Sequence, residues 1–344
     1  MNYPIGSRQK VVNLEQRRKR SREALYLTNT PTTIAELAFA DRMQIAFFDK
    51  ATQNRLSFSG HESFQCRSLW LKKGYDFVNT GHSFTDEDAV VELGVGKNMV
   101  NAIRFWMKAF GLTYENDKPT PLANKLLNDI DGWDPYLEDE GTSWLLNYQL
   151  VTASRASTYG LIFNGLRRDK IEFTKAHFLN YARRQAEIRG ESVNDNTVKS
   201  DFDVFVRMYY RADTQTKERD EGLTGLLTDL NLMRPLRRKK EKEDDLHFVI
   251  ENTEKSSLPD AILLYGILAN RQFDLSVNFN TLLTEPDQAG SVFALNATGL
   301  YTKLERIVAD RTNNAVFSDQ AGIRELSFKF IPDSMTVLAK YYAR

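Results

Sequence analysis

Apolar positions recur at helical spacing in three successive stretches of the chain, roughly 83–130, 172–236 and 256–328. Each stretch has the same order: a short helix, a turn, a longer amphipathic helix, then a polar, hairpin-like piece ending in an apolar run. In the first, Met99, Ile103, Trp106 and Phe110 fall at i, i+4, i+7 and i+11 with Met107 beside them, which predicts a helix over 98–110. In the second, Val198, Phe202, Phe205 and Tyr209 repeat that spacing. The third, from "LPDAILLYGIL" to "LYTKLERI", is rich in core residues. The stretches are not sequence repeats. They predict serial use of one small unit, and the fold class is mainly α with short β wings, built from tandem winged helix-turn-helix-like modules. The expected division is a helical polar arm over 1–55, a first module over 56–165, a second over 166–240 and a third over 241–344.

The polar faces differ between the three. Lys97, Asn101, Arg104 and Lys108 share one face of the first long helix with no acidic residue among them. Before it, "LGVGKN" superficially resembles a phosphate loop. Val91 stands where the first glycine of such a loop belongs, Asn98 replaces the magnesium-binding hydroxyl, and the flanking pattern starts a helix rather than ending a strand. No nucleotide cofactor is expected. Gly94 is instead read as a left-handed helix end, Gly96 as a sharp turn and Asn98 as the cap of the next helix. "LTYENDKPTPLANKLL" then gives a short strand, a turn at Asn116–Pro119 and a return into Leu122, Leu126 and Leu127, with Lys118 near the tip. Arginine and asparagine can read base edges in a major groove while lysine neutralises phosphate, so this face suits double-stranded DNA. The alternative is a solvated face on a protein-contact module. In the second module Lys199 and Arg207 sit among Asp201 and Asp203, and in the third a basic face is missing, Arg324 being the only cation of its tail segment "FSDQAGIRELSF". Packing or partner contact fits the second at least as well, and the third is expected to be structural or to bind protein.

Composition sharpens this. Lys+Arg and Asp+Glu each number 46, so attraction to a polyanion has to come from local stripes of charge. The run "RRKRSR" at 17–22 is such a stripe, while "RRKKEKEDD" reads as a solvated linker or wing tip. No apolar run is long enough to span a bilayer, the N-terminus lacks the apolar core of an export signal, and one cysteine, Cys66, allows no internal disulfide. A cytoplasmic protein is expected.

Reactive side chains concentrate in "FSGHESFQCRSLWLKKGYD", where Ser59, His61, Glu62, Cys66 and Arg67 lie close together. A His61–Glu62 pair could bind a metal or supply acid and base to phosphodiester cleavage, provided Gly60 bends the chain so that the two converge. A capped turn explains the same residues. Asp131, Asp134, Glu138 and Asp139 offer hard oxygen ligands without a metal-specific spacing, and Asp139 also fits a helix cap. His82, His177 and His247 are scattered.

"FSGHESFQCRSLWLKKGYD", "DAVVELGVGKNMVNAIRFW" and "DGWDPYLEDEGTSWLL", in that order, resemble a family of uncharacterised domains that includes the SspB subunit of bacterial DNA phosphorothioation systems. The resemblance runs from about residue 56 to the C-terminus, with a weaker "AGIRELSF" near the end. It implies DNA binding and strand nicking ahead of sulfur insertion. It also implies partners: a cysteine desulfurase, a P-loop ATPase and a PAPS-reductase-like enzyme. Nicking would call for a divalent ion such as Mg2+ or Mn2+ or for a general base, and His61 and Glu62 are the candidate centre. Lys97, Asn98, Asn101, Arg104, Lys108, Lys118 and Arg67 are the candidate DNA contacts. A non-catalytic adaptor and a winged-helix transcriptional regulator are the alternatives.

Overall fold

The computed structural model describes residues 55–153, 155–211, 224–236, 246–269, 271–320 and 322–343. The arm before Arg55, with "RRKRSR", and the run "RRKKEKEDD" lie outside the described residues.

The first stretch holds α1 (Trp70–Asn79), α2 (Ala89–Glu92) and α3 (Lys97–Ala109). Gly94 has φ +61°, and its N–H and that of Val95 reach back to the carbonyls of Val91 and Val90, at 3.1 and 3.2 Å, which closes α2 as expected. Two other expectations need correction. Asn98 does not cap α3: Gly96 occupies that position with extended backbone and no side-chain cap, and Asn98 lies exposed in the first turn. Met99 is only partly buried, and Val100 joins Ile103, Trp106 and Met107 in the core instead. After α3, Thr113 and Pro119 form an isolated antiparallel bridge around the expected turn. The return segment is a helix rather than a strand, α4 (Pro121–Leu127). The Thr120 side chain takes the Ala123 N–H, and proline at the first helical position costs no hydrogen bond, so this sequence starts a helix.

Next come α5 (Glu140–Thr152), α6 (Ser157–Leu161), a π-helical turn (Ile162–Leu166) and α7 (Arg167–Asp169). The second stretch contributes β1 (Glu172–Phe173), α8 (Lys175–Ile188), α9 (Asp195–Tyr209), a 3-10 turn (Thr228–Leu230), β2 (Arg234–Leu236) and β3 (His247–Val249). Its strands form an antiparallel sheet ordered β1-β3-β2, with Phe173 opposite Phe248 and Pro235 opposite Phe248 on the other side. That sheet crosses the boundary expected at 240. The third stretch contributes α10 (Asp260–Ala269), β4 (Ser276–Asn278), α11 (Phe279–Thr284), α12 (Ala289–Val292), α13 (Ala297–Ala309), β5 (Ala315–Gln320), β6 (Ile323–Phe328) and the C-terminal α14 (Ser334–Tyr342). Its sheet is ordered β4-β6-β5, again antiparallel. The chain is thus mainly α with small three-stranded antiparallel sheets.

Two helices lack a polar face and lie in the middle. On α5, Trp144, Leu145, Leu146, Tyr148, Leu150 and Val151 are all buried, and on α10 so are Ile262 to Leu268, which is what helices apolar all round must do. Asn147 of α5 is fully buried and satisfied at both ends: it accepts from the Tyr209 hydroxyl at 2.7 Å and donates to the Val292 carbonyl at 3.1 Å. One polar side chain therefore fixes α9 and α12 against the central helix.

The two glycines of the α2–α3 turn give a contrast. Gly94 needs a left-handed backbone, whereas Gly96 has φ −66° and open space where a Cβ would lie. Gly94→Ala should lower unfolding free energy by about 1 kcal/mol and Gly96→Ala by less than about 0.5 kcal/mol. Urea denaturation of the two variants checks this, and equal losses would contradict the cap.

Candidate nucleic-acid interface

The segment 56–67 enters the fold as a strap, and its backbone is unusual. Ser59, Gly60, Glu62 and Ser63 have φ of +68°, +93°, +49° and +64°. Such a run is held only where its surroundings dictate it. The Leu56 N–H donates to Glu191 Oε2 at 2.9 Å, and Ser57 and Ser157 exchange bonds of 2.8 and 3.0 Å. The Ser59 N–H donates to Asp201 Oδ1 at 2.9 Å, Trp106 Nε1 to the Phe64 carbonyl at 3.0 Å, and the Leu226 N–H to the Cys66 carbonyl at 2.9 Å. A Cβ on Gly60 would come within 2.7 Å of the Phe105 ring, so glycine answers a steric need as well as a conformational one.

His61 and Glu62 do not converge. The bend at Gly60 is present, but it buries one side chain and leaves the other exposed. His61 is 3% exposed, stacks on Trp106 at 5.8 Å and has Nε2 3.2 Å from Asp201 Oδ1. Its Nδ1 accepts the Ser63 N–H at 3.2 Å, which puts the ring proton on Nε2, toward the carboxylate. Both ring nitrogens are engaged, so His61 in this geometry holds the strap on α9 and has none free for a substrate proton. Glu62 is exposed and accepts from Asn101 Nδ2 of α3 at 3.3 Å.

The basic face of α3 is divided. Lys97, Asn98 and Asn101 are exposed. Arg104 is held by Asp117 through a bidentate contact of 2.7–3.0 Å, and Lys108 reaches the same carboxylate at 2.9 Å and the Glu115 carbonyl at 2.9 Å. Burial alone would raise the Asp117 carboxyl, but the bonds from Arg104 and Lys108 outweigh it and hold the group below the usual carboxylate range. The bond to Asp117 likewise raises Arg104. The turn after α3 thus folds a carboxylate back onto the helix and neutralises the two cations farthest from its N-terminus. Lys118, at the turn's tip, stays exposed. Arg67 is half-buried with its guanidinium 5.1 Å above the Trp70 ring.

On α9 the mixed signs of the sequence separate in space. Asp201 turns inward to His61, and Asp203 is met by Lys175 of α8 at 2.9 Å. Asn196, Lys199 and Arg207 face outward. Arg207 donates to the Ser63 carbonyl at 2.8 Å and to Gln65 Oε1 at 3.1 Å, and Ser63 Oγ lies 3.4 Å from Ser200 Oγ. Because Glu62 touches α3 while Ser63 touches α9, the strap joins two helix faces into one exposed surface carrying Lys97, Asn98, Asn101, Lys199 and Arg207. Sequence reading missed the α9 half because it could not see that Asp201 is buried.

The remaining candidates sort by what their side chains touch. Asp134 accepts the N–H groups of Glu138 and Asp139 at 2.9 and 3.0 Å, Asp139 caps α5, and Asp131 lies 3.5 Å from Lys125, so that cluster serves capping and surface pairing. Cys66 is fully buried, and burial pushes its thiol well above the ordinary range, away from nucleophile chemistry. Among the described residues, one group has metal-binding geometry: His82, Asp86 and Asp88, whose ligand atoms lie within 4.8 Å of one another. An imidazole with two carboxylates suits manganese better than magnesium, which favours oxygen donors and retained water. The spacing H-x3-D-x-D was its only signal in the sequence. No described helix is long and apolar enough to cross a membrane.

Over residues 58–342 the chain matches the family of proteins of unknown function DUF4007, and it belongs to that family. The chain is also similar to the crystal structure of SspB and to that of magnesium ion-bound SspB. Each comparison gives 30% identity and a TM-score of 0.73, covering 84% of this chain and 88% of the other. No curated protein matches the sequence.

The buried pair has a measurable consequence. His61→Ala or Asp201→Ala alone should cost about 3 kcal/mol of stability, since each leaves a buried polar partner unpaired. The double variant should cost less than the sum, with a coupling of about 1–3 kcal/mol in urea unfolding. Additive losses would mean that the two side chains do not act together.

Proposed function

We propose that this chain is the DNA-binding component of an Ssp-type bacterial DNA phosphorothioation system and that it nicks DNA ahead of sulfur insertion. The observation that carries the reading is the similarity to SspB at 30% identity over 84% of the chain. Two features of the molecule support DNA as the ligand. In the second and third stretches a strand, two or more helices and a hairpin follow one another, and the first strand pairs with the last, an order that supports the winged-helix reading. The exposed surface over α3 and α9 collects Lys97, Lys199 and Arg207 with the amides Asn98 and Asn101, the residue types that neutralise phosphate and read base edges. α13 has no comparable face: Arg306 is held by Asp260 in a bidentate contact, which suits a structural or partner-binding third module.

Nicking needs an ion or base beside a scissile phosphate. His82, Asp86 and Asp88 are the described residues with the geometry to hold a divalent ion, which would supply Lewis acidity to a phosphoryl oxygen. The SspB structure with magnesium supports such an ion in the family. The partners on this reading are a cysteine desulfurase, a P-loop ATPase and a PAPS-reductase-like enzyme in the bacterial cytoplasm. A non-catalytic adaptor that presents DNA to those enzymes is the second reading. It is favoured by one observation, the full engagement of both His61 nitrogens.

Conversion of supercoiled plasmid to open circle, with magnesium or manganese and with chelator, separates the two readings. The nicking reading expects open circle with metal and its loss in Asp86→Ala; no open circle with either metal supports the adaptor. For binding, log affinity for duplex should fall with log salt, and Lys97→Ala or Lys199→Ala should each flatten that slope by about one unit. Lys108→Ala should leave the slope unchanged, because its charge is already spent on Asp117. Salt titrations in which Lys108 matters as much as Lys97 and Lys199 would place the DNA elsewhere.

A further inference from the structure

The loop after β3 sets a lysine into a cavity without giving it a carboxylate. Lys255 has φ +47°, an uncommon backbone state for a long side chain, and its Nζ donates to the Glu251 carbonyl at 3.1 Å. It lines a cavity of about 530 Å³ together with Trp144, Asn231, Thr253, Ser256, Ser257 and Asn296, and with one acid, Glu254. Most of that lining can donate hydrogen bonds. One wall is the N-terminus of the 13-residue helix α13, where Asn296 caps the Gly299 N–H at 2.7 Å. The Ala297 and Thr298 N–H groups belong to the first turn, which has no intrahelical acceptors.

A second cation stands behind the first. Arg167, 9% exposed, donates to the carbonyls of Phe163, Gly290 and Ser291 at 2.9, 3.3 and 2.8 Å and to Asn252 Oδ1 at 2.5 Å, all uncharged. Glu251, the nearest acid to Lys255 along the loop, pairs with Arg234, and Glu254 is exposed at the cavity. Burial, then repulsion from Arg167, pushes the Lys255 ammonium down to about 8. Burial, with Arg168 adding to it, pushes Arg167 down to about 10. Lys255 and Arg167 repel each other, and the nearby Glu251 carboxylate that partly offsets Lys255 is itself paired with Arg234, so an arriving anion would relieve the repulsion.

We propose that this cavity is a binding site for a phosphate monoester, with Lys255 and the first turn of α13 gripping the dianion, hydroxyls of Thr253, Ser256 and Ser257 around it, and Arg167 supplying charge from behind. A three-oxygen head matches this many donors better than a carboxylate would, and two cations favour a dianion over the single charge of a diester. The monoester could be free or the end of a strand, and the site does not depend on whether the chain nicks DNA.

The test uses the full chain and orthophosphate, followed by calorimetry. Saturable binding is expected, at least about ten-fold weaker in Lys255→Gln and recovered to within about three-fold in Lys255→Arg. Ser256→Ala, at an exposed position, should weaken binding several-fold without altering the melting temperature. If Lys255→Gln does not fold, that variant decides. Binding should also fall as pH rises from about 8 to about 9.5, a range in which orthophosphate is almost wholly the dianion and Lys255 loses its proton. Arg167 stays charged over most of that range, and Glu251 and Glu254 are the acidic groups nearest Lys255. A 5′-phosphorylated oligonucleotide that competes with orthophosphate identifies a strand end, and one that does not compete identifies free phosphate. No saturable binding below about 10 mM, unchanged affinity in Ser256→Ala and in a folded Lys255→Gln, or equal competition by the unphosphorylated oligonucleotide would overturn the proposal.

Discussion

A histidine and an aspartate, each about 4% exposed as side chains, fix where the polar surface of this protein is built. His61 lies on a strap with almost no regular hydrogen bonding of its own, and Asp201 lies on α9. The carboxylate also takes the Ser59 N–H, so one buried charge satisfies both the ring and the backbone that carries it. Trp106 closes the arrangement from α3 by stacking on the imidazole and donating to the strap's Phe64 carbonyl. Removing either partner would leave a polar group stranded beside an indole, in the medium where such groups cost most. The strap is therefore clamped from both helices, and Glu62 and Ser63 emerge between them at positions set by the clamp.

Charge is distributed on the same logic. A chain of zero net charge has no general attraction for a polyanion, so what matters is which cations are left facing water. Asp117 removes Arg104 and Lys108 from the α3 face. Inward rotation of Asp201 and the Lys175–Asp203 and Arg183–Asp195 pairs engage all three acids of α9. What stays exposed is Lys97, Asn98 and Asn101 on α3 and Lys199 and Arg207 on α9, with Glu62 of the strap bonded to Asn101. Elsewhere, Lys255 and Arg167 bring two further positive charges together, both partly or fully buried.

Periodicity made α3 and α9 legible within a residue or two, because a stripe of Ile103, Trp106 and Met107, or of Val198, Phe202 and Phe205, has no other way to bury itself. Gly94 was legible for the same kind of reason, since few residues other than glycine end a helix in the left-handed state. Side-chain partnerships across the fold were not. Nothing in the string "GHES" says that His61 goes in and Glu62 stays out. Nothing in "ENDKP" says that Asp117 folds back onto Arg104, although its place in a tight turn after a basic helix was a hint. The return through Leu122 to Leu127 became a helix because Thr120 and Pro121 supply a start signal that the apolar pattern alone conceals. His82, Asp86 and Asp88 meet only because the loop before α2 curls, and spacing in sequence carries little of that.

The central claim is that α3 and α9, joined by the strap, present one surface to DNA. Hydrogen–deuterium exchange of the full chain with and without a short duplex tests it most directly, because it reports every segment at once and needs no substitution. Added protection is expected in 59–67, in the first turns of α3 and along α9, with α13 unchanged. Protection confined to α13 and its hairpin, or none at any segment under conditions where the duplex is bound, would contradict it.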